Sequence, residues 1–415
     1  METIALTASP CARSENQLTT AMPYLSCFCH MRYSREQISL MVVNAYKDAR
    51  KNERHKDSQL RFEEELEKNI SLLSYELYTR KWKPSQSICF VITDPTVREV
   101  FAPQFRDRVV SHVLFSLVSP IFERQFINDS YSCRKGKGTL YGIERLEHHI
   151  RSESENYSKE VYALSMDIEG YFIHINKLIL FDEIKRILEK ARRTKEYKDL
   201  DYDFIYYLVR TILANSPAEN CLVIASKEEL ARVPYSKSLR NVPIGVGLAI
   251  GDIMSQLFSN VYLNMLDQYV KRELKATHYC RYVDDFKIIS TDADYLKDCE
   301  SKIRTFLDER LKLVLHRKKT KITSCRENLF FLGACIRNGR KYPIDKVLKR
   351  MNAKANELKK YQDDQKKMLE MANSILGYLS QFDSYNIRKE IYEKYIAKTG
   401  LFINEKNYYS VCLKG

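Results

Sequence analysis

The sequence predicts an α+β fold, with a small antiparallel sheet backed by helices and helical domains on either side. Two observations carry this expectation. The elements read as helices, strand, helix, strand, strand, strand, then helices, so the strands are too few and too spread for a doubly wound sheet. One strand ends at an acidic residue, Asp167, and a later strand pair folds back at Asp284-Asp285. The length of 415 residues suffices for two or three domains with buried cores. At 44% hydrophobic and 29% charged residues, the composition is that of an ordinary globular protein.

Residues 1–30 show no clear period and read as a disordered extension, with Met31 as an alternative start. Phe62, Leu66, Ile70, Leu73 and Leu77 recur at helical spacing and predict an amphipathic helix over 59–79. Ile88 to Thr93 reads as a strand closed by Asp94-Pro95. Val109, Val110, Val113, Leu114 and Leu117 mark a further helix. A strand follows over Val161 to Asp167, then helices over 177–190 and 202–214. Residues 215–251 carry Pro217, Pro234, Pro243, Gly245, Gly247 and Gly251 and read as loop. A long helix over about 252–274 turns Leu257, Val261, Leu266, Tyr269 and Val270 inward. Residues 278–290 read as two short strands, and 329–336 as another strand. Neither Pro nor Gly occurs from Ile344 to Leu376, which suits one or more long helices.

Lys and Arg total 68 against 54 Asp and Glu, a formal charge of +14. That surplus points to a polyanionic partner, nucleic acid or an anionic membrane; the plainer reading is a solvated basic surface. No stretch approaches the ~18 apolar residues of a membrane span, and no signal peptide is evident, so no membrane partner is expected. Eleven scattered cysteines fit reduced thiols and a cytoplasmic protein. Cys27-Phe28-Cys29-His30 lacks a second pair at zinc-finger spacing and reads as incidental.

The acids are the chemically informative residues. Nucleotidyl transfer needs two divalent metals clamping the attacking and leaving oxygens. Magnesium takes hard oxygen ligands, a few carboxylates plus substrate phosphates. Asp167 at a strand end, with Asp284 and Asp285 at a hairpin tip, can supply such carboxylates if the strands are neighbours. Taken alone, adjacent Asp residues are usually a solvated turn, so their context decides.

That context resembles the reverse transcriptases. Tyr282-Val283-Asp284-Asp285 is similar to the family's Tyr-x-Asp-Asp signature, and Asp167-Ile-Glu-Gly-Tyr-Phe172 to its first catalytic block. The resemblance runs from about residue 35 to 395. It implies a right-hand polymerase: fingers over 31–160, a palm over 161–338 with a fingers insertion around 178–240, and a helical thumb over 339–415. It implies that Asp167, the Ile168 carbonyl, Asp284 and Asp285 hold two Mg2+ (Mn2+ is the alternative), and that Phe172 is the gate against a ribose 2′-hydroxyl. The plainer reading of Tyr171 and Phe172 is core packing. Arg98-Glu-Val-Phe-Ala-Pro103 resembles the fingers block, where Arg98 takes the triphosphate of the incoming dNTP; a guanidinium suits phosphate bidentately. Thr93, Asp94 and Thr96 stand where many relatives place a lysine. Ser130 to Thr139 is a glycine-bearing loop with Arg134, Lys135 and Lys137, suited to a template–primer backbone. Lys319, in Arg317-Lys-Lys-Thr-Lys-Ile322, is the candidate for protonating pyrophosphate, or for simply neutralising its charge. Phe331-Leu332-Gly333 resembles the primer grip. Lys346, Lys349, Arg350, Lys354, Lys359 and Lys360 form a stripe suited to an RNA/DNA duplex, although a charged helix face is more often just solvated.

Most reverse transcriptases carry Gln-Gly and later Ser-Pro in the block that here reads Ile250-Gly251 and Ser255-Gln256. This pattern, with Ser236-Lys-Ser-Leu239 upstream, resembles the enzymes of diversity-generating retroelements, which copy a template RNA while misincorporating opposite adenine. Ile250 and Gly251 would face the nucleotide and Gln256 the template. Ile250 cannot hydrogen-bond sugar or base as an amide would, so selection there rests more on shape. The resemblance implies a small basic helical accessory protein as partner, and no endonuclease or integrase domain is expected after the thumb. The alternatives are a retron-, group II intron- or defence-type bacterial reverse transcriptase. A non-catalytic polymerase-like RNA-binding scaffold is a further rival, but clustered acids would repel a polyanion without metal.

Overall fold

The computed structural model describes residues 33–51, 56–94, 96–403 and 407–413. The expectations for residues 1–30, Met31 and Cys27–His30 lie outside them. The chain forms two compact units. The first comprises the described residues up to Phe126 with Glu169–Asp267 and Phe306–Val314; the second comprises Ile127–Ile168, Gln268–Thr305 and the chain from Leu315.

The first unit opens with α1 (Arg35–Arg50), capped reciprocally by Ser34 and Gln37. The stripe expected as one helix over 59–79 is divided into α2 (Asp57–Glu64) and α3 (Leu66–Tyr78). Glu65 leaves helical geometry at ψ 47°, and the Asn69 side chain takes up the freed Phe62 carbonyl at 2.9 Å. β1 (Ser87–Ile92) and β2 (Arg98–Ala102) pair antiparallel, Ile92 opposite Arg98. α4 (Phe105–Glu123) packs on α1 and buries Val109, Val110, Val113 and Leu114.

The second unit contributes α5 (Thr139–Glu153) and β3 (Tyr162–Asp167). The chain returns to the first unit with a single turn α6 (Tyr171–His174), then α7 (Lys177–Arg192) and α8 (Tyr202–Ala214), where the periodicity places them. Residues 215–251 are not pure loop. They hold β4 (Cys221–Val223), which pairs parallel with β1, and α9 (Lys227–Ala231), opened by a Ser226–Glu229 capping box. A three-residue strand is too short to show alternation, which is why the proline and glycine signals hid it. α10 (Ile253–Arg272) buries Leu257, Val261, Leu266 and Val270, with Tyr269 partly exposed.

The rest lies in the second unit. β5 (His278–Tyr282) and β6 (Asp285–Ser290) precede α11 (Ala293–Phe306) and β7 (Lys321–Ser324). These join β3 in a four-stranded sheet ordered β5-β6-β3-β7, every pair antiparallel. The strand expected over 329–336 is a hairpin, β8 (Leu329–Phe331) and β9 (Ala334–Arg337), extended by β10 (Arg340–Pro343). Leu332 and Gly333 form its turn with φ of 51° and 85°. The apolar run masked the turn because Gly333 was its only polarity break. α12 (Asp345–Glu357), α13 (Gln365–Leu379) and α14 (Tyr385–Ile391) follow, sharing a core of Val347, Met351, Ile375, Leu376 and Ile391. The expectation of α+β with a small antiparallel sheet and flanking helices is met.

Gly251 sits at φ 126°, and a Cβ there would lie 3.0 Å from the Phe101 carbonyl oxygen. Gly251→Ala is expected to cost about 1–3 kcal/mol through backbone strain. A thermal melt should show the loss, and an unchanged melting temperature would contradict the tight packing of this loop on β2.

Candidate active site

The second unit gathers the acids. Within the sheet, register sets Asp167 of β3 directly opposite Asp285 of β6, and Tyr282 of β5 opposite Asp285 on its other side. The hairpin loop is therefore Val283-Asp284, one residue earlier than the fold-back read from sequence. Val283 has φ 55°, the left-handed region that β-branched residues rarely enter. Its carbonyl accepts from Arg281 Nη1 at 3.0 Å, and Arg281 Nη2 reaches Ser130 Oγ at 3.2 Å. The buried guanidinium thus grips both the strained turn and the start of the 130–139 loop.

The charges around the acids differ. Lys319 Nζ lies 2.9 Å from both Asp167 carboxylate oxygens. Lys287 Nζ lies 3.4 Å from Asp285 Oδ1 and 3.1 Å from Ser165 Oγ. Burial, then the neighbouring charges of Asp167 and Asp285, push the Asp284 carboxyl up to about 6. Burial also raises that of Asp285. Ile168 is buried and bridges Leu315. Among the described residues, no three His, Cys, Asp or Glu side chains form a ready metal cage. Magnesium commonly takes one or two carboxylates with substrate phosphates rather than a dedicated protein cage. The donor set is all hard oxygen, and half-buried Asp284 stands against like charge, so it fits such an ion.

The predicted nucleic-acid contacts fall differently. Arg134 is turned inward, its Nη1 donating at 2.6 Å to the carbonyls of both Ile127 and Ser130. It shapes the loop rather than reaching outward, because a guanidinium satisfies several carbonyls at once. Lys135 is exposed, while Lys137 Nζ bonds the Asn128 carbonyl and lies 5.7 Å from the Tyr141 ring centre. Phe331 is buried and Leu332 packs on the sheet core beside it. Lys349 and Arg350 are exposed on α12, opposite its buried Val347 and Met351.

The remaining predicted residues lie in the first unit. Arg98 is exposed, its Nε donating to Thr96 Oγ1 at 3.1 Å. Next to it, buried Glu99 accepts from Ser238 Oγ at 2.9 Å, Leu239 N at 3.1 Å and Arg240 Nε at 3.3 Å. The Ile250 carbonyl accepts from Phe101 N at 3.0 Å, and Leu248 N donates to the Phe172 carbonyl at 2.8 Å. So backbone bonds tie Ile250 to β2 and Leu248 to Phe172, while the Arg98 side chain bonds Thr96. Gln256 is exposed in the first turn of α10. Sequence reading missed Glu99, Arg281 and Lys287. Lys287 was findable, since period two along β6 puts it on the face of Asp285.

Residues 93–336, more than half of the chain, match the family described as reverse transcriptase (RNA-dependent DNA polymerase). Protein YkfC of Escherichia coli (strain K12) is 23% identical over 299 residues, covering 64% of this chain and 70% of that protein. Telomerase from Candida albicans, solved with a fragment of telomeric RNA, is 10% identical at TM-score 0.46, covering 77% of this chain and 57% of that one. Apo telomerase from Candida tropicalis is 13% identical at TM-score 0.45, covering 76% and 63%. The chain spans less than two thirds of the length of these solved structures.

Asp284 gives a metal-free test. Its folded carboxyl is pushed up to about 6, so its contribution to stability is full below the ordinary carboxyl range and is lost as pH rises through 6. Asp284→Asn cannot ionise. In chelator, its stability should lie close to wild type at pH 4 and exceed it at pH 7.5 by on the order of 2 kcal/mol, read as a higher melting temperature. An equal difference at both pH values would contradict the burial of this carboxylate.

Proposed function

This chain belongs to the reverse transcriptase family, RNA-directed DNA polymerases by activity, and on that premise we propose that it makes error-bearing cDNA for a diversity-generating retroelement. The observation that carries the polymerase chemistry is the direct pairing of Asp167 with Asp285 beside the Asp284 turn. Asp167 and Asp284, with the Ile168 carbonyl, would hold two divalent ions, Mg2+ with Mn2+ as the alternative, and Asp285 completes the acidic cluster. Ions bound there supply positive charge to the attacking and leaving oxygens. Lys319, already against Asp167, neutralises or protonates the departing pyrophosphate. Arg98 takes the dNTP triphosphate, Phe172 screens the sugar, and Ile250 and Gly251 line the nucleotide side. Lys135, the Phe331–Gly333 turn, Gln256, Lys349 and Arg350 contact RNA template and duplex. On this reading residues 31–160 serve as fingers, 161–338 as palm and 339–415 as thumb, and a small basic helical protein assists.

The retroelement subtype rests on Ile250-Gly251 and Ser255-Gln256 in place of the usual pairs. Ile250 is half-buried and anchored by its carbonyl to β2, so a substitution changes the side chain with the backbone held. Ile250→Gln is expected to lower misincorporation opposite template adenine several-fold. Sequencing cDNA copied from a defined RNA would read this, and an unchanged error spectrum counts against the subtype while leaving the polymerase assignment standing. On the same RNA template with magnesium, Asp284→Asn should reduce primer extension by at least about 1,000-fold. Equal yield from both proteins would end the catalytic reading in favour of an RNA-binding scaffold.

A further inference from the structure

Lys287 is a charged residue that the chemistry above does not use. Its side chain is 3% exposed. It stands in β6 between Phe286 and Ile288, both fully buried. Burying an ammonium is expensive, and an apolar side chain of similar volume often packs there at no loss. Its partners suggest what the charge does. Nζ faces Asp285 Oδ1 at 3.4 Å on its own strand and Ser165 Oγ at 3.1 Å on β3, where Ser165 is its direct cross-strand partner. Its third partner is the Phe331 ring, 5.1 Å from Nζ to the centroid. Phe331 is the last residue of β8, immediately before the Leu332-Gly333 turn. An ammonium has three donors and no acceptor, and here a carboxylate, a hydroxyl and an aromatic face occupy its surroundings.

These partners belong to separate parts of the proposed reaction. Asp285 closes the acidic hairpin. Ser165 lies two positions before Asp167 on β3, on the same face of that strand. Phe331 fixes the base of the turn that resembles the primer grip. We propose that Lys287 is a positioning residue: its ammonium ties the acidic hairpin, β3 and the β8–β9 turn into one arrangement, setting the primer end against the carboxylates. This rests on the polymerase reading given under Proposed function. The aliphatic stem fills the sheet and the head sets distances, so charge rather than volume carries the role.

The test uses the full chain with Lys287→Met, Lys287→Arg and Phe331→Leu, measured in two ways. In steady-state primer extension on an RNA template, Lys287→Met is expected to lower kcat about 10- to 100-fold, the scale of a misplaced reacting group. Its KM for dNTP should stay within about 3-fold of wild type. Lys287→Arg keeps the charge and the ring contact and should recover most of that loss. Phe331→Leu should reproduce part of the defect, and the double variant with Lys287→Met should be no worse than Lys287→Met alone, because the two residues share one contact. Separately, in chelator and without nucleic acid, amide hydrogen exchange over residues 329–336 should quicken in Lys287→Met and stay near wild type in Lys287→Arg.

Wild-type kcat in Lys287→Met overturns the proposal. So does a loss shared equally by Lys287→Arg, or exchange that rises uniformly over the second unit, which marks general destabilisation. If wild type itself extends no primer, the polymerase reading fails, and the exchange measurement still decides whether Lys287 couples the two hairpins.

Discussion

The antiparallel register of β3 against β6 is the constraint on which the site depends. Side chains alternate faces along a strand, so a slip of one residue would send Asp167 to the opposite side from Asp285. The register is pinned by buried residues on both strands: Ala163, Leu164 and Met166 face Ile289, Ile288 and Phe286 across the pair. An apolar core therefore decides where two carboxylates meet. β5 then returns along β6 through a loop that places Val283 in a left-handed conformation, and Asp284 follows from that turn.

Holding like charges together requires compensation, and the sheet supplies it in layers. Lys319 comes from the segment before β7 and meets Asp167 in a bidentate contact. Lys287 comes from within the sheet and meets Asp285. Arg281 acts on the backbone: it grips the carbonyl of the turn that presents Asp284. The turn itself is strained, and a strained backbone persists only where its surroundings over-determine it. A buried guanidinium bonded to both the turn carbonyl and Ser130 is such a surrounding. Farther out, Asp129 receives Arg145 at 2.7 Å, and its carbonyl accepts from Arg281 N at 2.9 Å, so the network extends from α5 to the hairpin.

Much of this was legible in the sequence, for identifiable reasons. Long helices with clean stripes, such as α7 and α8, lie where their periodicity put them. β3 and the β5–β6 pair were readable because each ends near an acidic residue bounded by turn-formers. Short elements escaped: β4 has three residues, and the β8–β9 turn is hidden in a continuous apolar run. The acids were visible as residue types, but their pairing was not, because register is a property of two strands far apart in the chain. Arg134 shows the opposite error. Its charge suggested an outward role, whereas its guanidinium closes on carbonyls of its own loop. Charge counts do not reveal direction, and the buried cations Arg281 and Lys287 were overlooked for the same reason.

Glu99 and Phe101 hold the first unit's long connection at two places, residues 238–240 and Ile250, while Ile224 N donates to the Cys89 carbonyl at 2.9 Å. Between Ile224 and Ser238 the chain is largely exposed and contributes no buried core beyond Val233. Lengthening a loop whose ends are already fixed adds only a slowly growing closure entropy. That stretch can change in length without disturbing β2. For a protein engineer it is the natural port for a reporter or affinity handle, since the anchors on either side insulate β2 from whatever is spliced between them.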